Sequence, residues 1–136
     1  MIVDTSVVVA LAAGEASTGW IRKTLDEHAS AALRMSWVNI AECGMVLERA
    51  VSGSSEALES ALAAIGIEAL EADYSILRLA IDARARYPLN FGDCFAYAHA
   101  RARNEPLLTL DEDFLATDLV DVLHPRARSR GARATR

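Results

Sequence analysis

Four carboxylates stand at or near the ends of predicted elements in this 136-residue chain. Asp4 follows the apolar run Met1-Ile2-Val3, Glu42 lies inside a helical stretch, Asp93 opens a helix, and Asp111 follows Leu107-Leu108-Thr109-Leu110. A carboxylate at the lip of a buried strand is costly to leave unpaired and needs a helix N-terminus, a cation or a base beside it. Hard divalent cations such as Mg2+ and Mn2+ take oxygen ligands, and phosphate oxygens can complete their octahedron. Two such ions about 3.5–4 Å apart activate water and stabilise the leaving oxygen in phosphoryl chemistry. Several converging carboxylates without histidine or cysteine ligands fit that chemistry better than zinc.

Each acid also has an ordinary reading. Asp93, three residues after Asn90, is spaced like the N3 partner of a capping box. Glu42 can be a solvated helix residue, and Asp111 and Asp113 can be turn residues, with Asp113 capping a short helix at Phe114. Asp4 is the hardest to explain this way, because a strand lip sets a carboxylate no structural task.

The elements that must position these groups alternate between strand and helix. Ile2–Val3 reads as a buried strand and Val7–Ala13 as a short helical turn before the break at Gly14. Residues 15–29 have apolar positions Trp20, Ile21, Leu25 and Ala29 near helical spacing. Residues 31–35 are a short apolar strand. Ser36 caps a helix from Trp37 to about Val51, whose inner face is predicted from Trp37, Ile40, Ala41, Gly44 and Leu47, with Glu42 beside it. The run Ser52-Gly53-Ser54-Ser55 separates it from a helix over 56–65, and Ile67–Leu70 is a strand. Asp73 caps a helix over 74–87 with Ile76, Leu77, Ala80 and Ile81 inward, ended by Pro88. Asn90 starts a helix over Phe91–Arg103. Residues 107–110 and 120–123 are the last strands. This alternation predicts a three-layer α/β/α sandwich with a mostly parallel central sheet.

Composition narrows the class. At 52% apolar and 24% charged, the chain has the make-up of one folded domain. No apolar run approaches the roughly 20 residues of a membrane span, and Asp4 interrupts the N-terminal run that a signal peptide would need. Cys43 and Cys94 lack metal-ligand spacing and read as buried thiols of a cytoplasmic protein. Five of the fourteen basic residues and none of the nineteen acidic ones fall in 126–136, leaving nine basic against nineteen acidic before it. That body repels polyanions unless cations offset its carboxylates. The arginine-rich segment 126–136 is predicted to be a disordered tail beyond a domain spanning 1–125.

The segments Ile2-Val3-Asp4-Thr5-Ser6, Asn39-Ile40-Ala41-Glu42, Asn90-Phe91-Gly92-Asp93-Cys94-Phe95-Ala96-Tyr97-Ala98 and Leu107-Leu108-Thr109-Leu110-Asp111-Glu112-Asp113-Phe114 occur in this order. Together they resemble, over residues 1–125, the PIN-domain proteins of the VapC toxin type, the ribonuclease half of a toxin–antitoxin pair. The resemblance implies an Mg2+- or Mn2+-dependent endoribonuclease that cuts structured RNA, tRNA especially, with metal-activated water. Asp4, Glu42 and Asp93 match the family's first three acidic positions. Asp111 matches the fourth best, and Asp113 and Asp118 are its possible substitutes. Ser6 would be a hydroxyl that orients Asp4 or a metal-bound water; Thr109 is a weaker candidate, read mainly as a strand residue. The implied partners are a small VapB-type antitoxin and a second copy of the chain in a homodimer.

Other readings remain open at this stage. His28, His99 and His124 sit in no motif, which argues against histidine-based RNA cleavage. A haloacid-dehalogenase-like phosphatase would use Asp4 as nucleophile, but it normally has a second aspartate where this chain has Ser6. A stand-alone PIN nuclease and a non-catalytic RNA- or protein-binding PIN-like domain complete the alternatives.

Overall fold

The computed structural model describes residues 1–127. Most of the arginine-rich segment, residues 128–136, therefore lies outside the described residues, and so does the expectation that it is disordered. In chain order the elements are β1 (Ile2–Val3), α1 (Thr5–Ala13), α2 (Thr18–Glu27), β2 (Leu33–Ser36), α3 (Trp37–Ala50), α4 (Leu58–Ile65), β3 (Ile67–Leu70), α5 (Tyr74–Arg86), α6 (Phe91–Arg103), β4 (Leu107–Leu108) and β5 (Val122–Leu123). Short 3-10 turns cover Ser54–Ala57 and Glu112–Ala116.

The five strands form one parallel sheet in the order β3-β2-β1-β4-β5. Successive strand residues point to opposite faces, and here adjacent residues enter separate cores. Ile2 and Leu107 pack with α5 and α6, whereas Val3 and Leu108 pack with Val7, Val8 and Ala10 of α1, Ile21 of α2, Cys43 of α3 and Leu62 of α4. This is the three-layer parallel arrangement expected from the sequence. The chain leaves β1 for β2 and β3, then returns to β4 on the other side of β1. The crevice at the carboxyl ends of β1 and β4 is thus the point where strand order reverses, the preferred ligand position in open parallel sheets.

Local chemistry explains most element boundaries. The Ser36 hydroxyl accepts from the Val38 amide to start α3, and Asp73 accepts from the Ile76 amide to start α5. The helix α4 stops at Gly66, whose φ of 84° is in the left-handed region that glycine occupies without penalty. Two helix faces differ from expectation. Trp37 and Ala41 are exposed, and α3 instead buries Asn39 and Cys43. Ile40 of the predicted stripe still packs on the core, and the fully inward positions are Asn39 and Cys43. On α5 the buried set is Ile76, Ala80 and Ala83, while Leu77 and Ile81 face outward. The strand expected over 107–110 spans Leu107–Leu108; the Thr109 amide still donates to the Leu123 carbonyl at 3.1 Å, while the Thr109 hydroxyl and the Leu110 amide turn to Asp4 and Ser6.

Among the described residues no helix is long and apolar enough to cross a membrane. Leu107 is fully buried and Ile81 is 57% exposed. Leu107→Ala is expected to cost about 2–5 kcal/mol of stability, and Ile81→Ala less than about 1 kcal/mol, as read by urea denaturation of the two variants.

Candidate functional site at the carboxyl edge of the sheet

Asp4 leaves β1 directly into this crevice and is only 2% exposed. Its Oδ2 accepts from the Ser6 hydroxyl at 2.8 Å and from the Thr109 hydroxyl at 2.9 Å. Each hydroxyl also binds backbone. Ser6 Oγ accepts from the Leu110 amide at 3.0 Å, and Thr109 Oγ1 accepts from the Asp111 amide at 2.9 Å. Asp4 is therefore the point that ties the start of α1 to the segment leaving β4. Ser6, expected from the resemblance to orient Asp4 or a metal-bound water, donates to Asp4. Thr109, read there mainly as a strand residue, makes an equivalent bond and is completely buried.

Glu42 arrives from α3. Its Oε1 accepts from Thr5 Oγ1 and from Asn39 Nδ2, both at 2.8 Å. Asn39 Nδ2 also donates to the Gly92 carbonyl at 3.0 Å, joining α3 to the first turn of α6. Asp93 sits in that turn. It forms the capping box its spacing suggests: the Asn90 side chain accepts from the Asp93 amide at 2.9 Å, and Asp93 Oδ2 accepts from the Asn90 amide at 3.2 Å. The structural role and the place beside Asp4 are compatible, since the box leaves the other carboxylate oxygen uncommitted.

The electrostatics show which acids share this space. Burial pushes the Asp4 carboxyl upward, opposed by the Ser6 and Thr109 hydrogen bonds, with Asp111 adding repulsion. Asp93 is pushed up to about 7, first by burial and then by the charges of Asp4, Asp111 and Glu42. The Cys43 thiol is pushed up to about 12 by burial and by Asp4 and Glu42, so it is a neutral packing group at physiological pH. Asp4, Glu42, Asp93 and Asp111 thus occupy one electrostatic neighbourhood assembled from both sides of the sheet.

The two alternative positions for the fourth acid are placed differently. Asp111 caps the 3-10 turn over Glu112–Ala116 by accepting from the Asp113 amide at 2.9 Å. Asp113 is exposed. Asp118 accepts from the Tyr97 hydroxyl at 2.6 Å and faces Arg101 at 3.4 Å, and these partners hold its carboxyl below the usual range. The histidines lie elsewhere: His28 Nδ1 is 2.9 Å from the Thr24 carbonyl, His99 is buried in α6, and His124 Nε2 is 3.1 Å from the Leu110 carbonyl. Sequence reasoning missed Thr5, Asn39 and Gly92. Asn39 carried a usable signal, because residues three apart on a helix share a face with each other, here with Glu42.

Among the described residues, no three acidic, histidine or cysteine side chains form a ready-made metal site. The four carboxylates are neighbours, each tethered by its own donors, and they do not close on one point. Their donor chemistry still suits a hard divalent cation: all-oxygen, anionic, and poised so that a positive charge relieves the repulsion felt by Asp93.

The family comparison agrees with this arrangement. The PIN domain family matches residues 1–119. Ribonuclease VapC42 of Mycobacterium tuberculosis is 33% identical over 128 residues, covering 88% of this chain and 96% of that protein. The crystal structure of Mycobacterium tuberculosis VapC20, described as a sarcin–ricin loop cleaving toxin, superposes with a TM-score of 0.72 at 23% identity, over 89% of this chain and 97% of that one. A toxin–antitoxin complex from Klebsiella pneumoniae superposes with a TM-score of 0.66 at 16% identity, over 89% and 93% of the two chains. These last two are likenesses of fold. With its parallel sheet, its acids at the strand-order reversal and this sequence kinship, the chain belongs to the PIN-domain family and, within it, to the VapC ribonucleases.

Proposed function

We propose that this protein is a divalent-metal-dependent endoribonuclease and the toxin of a toxin–antitoxin pair, acting in the cytoplasm through a nuclease domain over 1–125. The observation that carries the reading is the gathering of Asp4, Glu42, Asp93 and Asp111 at the carboxyl ends of β1 and β4. The kinship with VapC ribonucleases supports RNA as the substrate. Structured RNA is the class. tRNA is the target expected from the family resemblance, and the sarcin–ricin loop named for VapC20 is the second structured RNA to test.

In this reading the four carboxylates would hold Mg2+ or Mn2+. The bound ion would supply a water of lowered pKa and offset charge on the attacked phosphate. The chain's own groups prepare that site. Ser6 and Thr109 both donate to Oδ2 of Asp4, and a backbone hydrogen bond from Thr5 steadies the same carboxylate. Thr5 and Asn39 both donate to Oε1 of Glu42, a partly buried residue, which leaves Oε2 as the oxygen that would take a proton from water.

Two protein partners belong to the proposal. A small VapB-type antitoxin would silence the site, a role supported by the fold likeness to the Klebsiella toxin–antitoxin complex. Apolar side chains are available for it on α3, where Trp37 and Met45 are exposed. A second copy of the chain would use another apolar face, where Ile81 and Phe91 of α5 and α6 are exposed. A phosphatase reading is less favoured, since the group two residues after Asp4 is Ser6, already bonded to Asp4 and the Leu110 amide.

The test is cleavage of tRNA and of a sarcin–ricin loop oligonucleotide with Mg2+ or Mn2+, followed by mapping of the cut ends. Asp4→Asn and Asp93→Asn are each expected to lose more than about 100-fold in rate, beyond the 10–100-fold typical of a supporting partner. Parental rates in both variants would refute the assignment. Chelation by EDTA should abolish cleavage, and Mn2+ should restore it.

A second prediction concerns stability without metal. The folded-state pKa of Asp93, about 7, lies above its unfolded value near 3.8. The folded state therefore holds the proton more tightly, so stability falls as pH rises through the window between these values. Asp93→Asn removes that penalty. Its metal-free melting temperature should exceed the parent's by a few degrees at pH 8 and match it near pH 4, by differential scanning calorimetry.

A further inference from the structure

We propose that Gly92 and Asn39 are positioning residues whose shared task is to fix the Glu42 carboxylate against the first turn of α6. This rests on the ribonuclease reading above only in assigning Glu42 to the reaction. A Cβ built on Gly92 would fall onto Oε1, Oε2 and Cδ of Glu42. The carboxylate thus occupies space that every other residue type would fill. Backbone geometry does not demand glycine here, since Gly92 is helical and absent from the positive-φ glycines Gly14, Gly53 and Gly66. Inside a helix alanine is preferred to glycine. What Gly92 provides is room.

Asn39 supplies the restraint. It is fully buried, and its Nδ2 donates both to Glu42 Oε1 and to the Gly92 carbonyl. Its Oδ1 is buried with no hydrogen-bond partner. An amide left half unsatisfied in the interior is unfavourable, so the residue is retained for its N–H groups. Reversing the amide would set Oδ1 against a carboxylate and a carbonyl, which fixes the orientation described. Asn39 therefore holds Glu42 to the same turn that carries Asp93, and two acids from different layers keep one separation. Thr5 adds the second donor to Oε1. With Oε1 saturated on both sides, Glu42 presents a single free oxygen.

Gly92→Ala separates positioning from folding, because the atoms a Cβ meets are the far end of a flexible side chain that can swing away. The variant is expected to melt at or above the parental temperature. Its kcat for RNA should nonetheless fall about 10–100-fold with KM unchanged, and Mn2+ affinity measured by calorimetry without RNA should fall with it. Asn39→Leu should give the same fall in kcat and in Mn2+ affinity, with KM unchanged. In a Glu42→Gln background, each substitution should cost no more than about twofold further, since the side chain they position is already altered.

Parental kcat and Mn2+ affinity in Gly92→Ala would overturn the inference. So would an undiminished loss in the Glu42→Gln background, which would mean that Gly92 and Asn39 act through something else. Glu42→Gln alone tests the parent reading. If it cleaves at the parental rate, the role of Glu42 fails and this inference fails with it. If Glu42→Gln is impaired while Gly92→Ala is not, the ribonuclease reading stands and only the positioning inference falls.

Discussion

The structure depends on the burial of one carboxylate at the centre of a parallel sheet. Asp4 sits at 2% exposure at the end of the strand that separates the two halves of the fold. Hydroxyl donation from Ser6 and Thr109 makes its burial tolerable, and those hydroxyls in turn bind the backbone leaving β4. This network places Asp111 beside Asp4. The first turn of α6 brings Asp93, and α3 brings Glu42. The resulting repulsion is an unfavourable feature of the isolated fold, and a divalent cation is the kind of group that would turn it into a favourable one.

Much of the frame could be read from local signals. The helix α6 spans Phe91–Arg103 as its Asn90 cap suggests, and β3 matches its apolar run, because caps and short apolar runs act within a few residues. The four acids were recognisable through element ends and motif order. The inward face of α3 was not. Hydrophobic periodicity selects the stripe through Trp37 and Ala41, whereas the helix turns Asn39, Glu42 and Cys43 toward the interior. A face that hydrogen-bonds Thr5 and the Gly92 carbonyl departs from the rule that apolar residues mark the inside.

The parts that could not be read depend on contacts between distant residues. Thr109 looks like any strand threonine until the fold brings it to Asp4, 105 positions away. Gly92 looks like an ordinary helical glycine until the Glu42 carboxylate is found in the space of its missing side chain. The difference between Asp111 and Asp118 likewise shows only in the geometry, since Asp118 bonds Tyr97 and faces Arg101 whereas Asp111 adds repulsion on Asp4 and Asp93.

The central claim is that Asp4, Glu42, Asp93 and Asp111 together form a divalent-metal site. The most direct test is an anomalous difference map from crystals equilibrated with Mn2+. The account predicts a manganese peak bounded by carboxylate oxygens of Asp4 and Asp93, with Glu42 and Asp111 in its coordination or hydration shell. A map with manganese bound elsewhere and this crevice empty at saturating Mn2+ would contradict it.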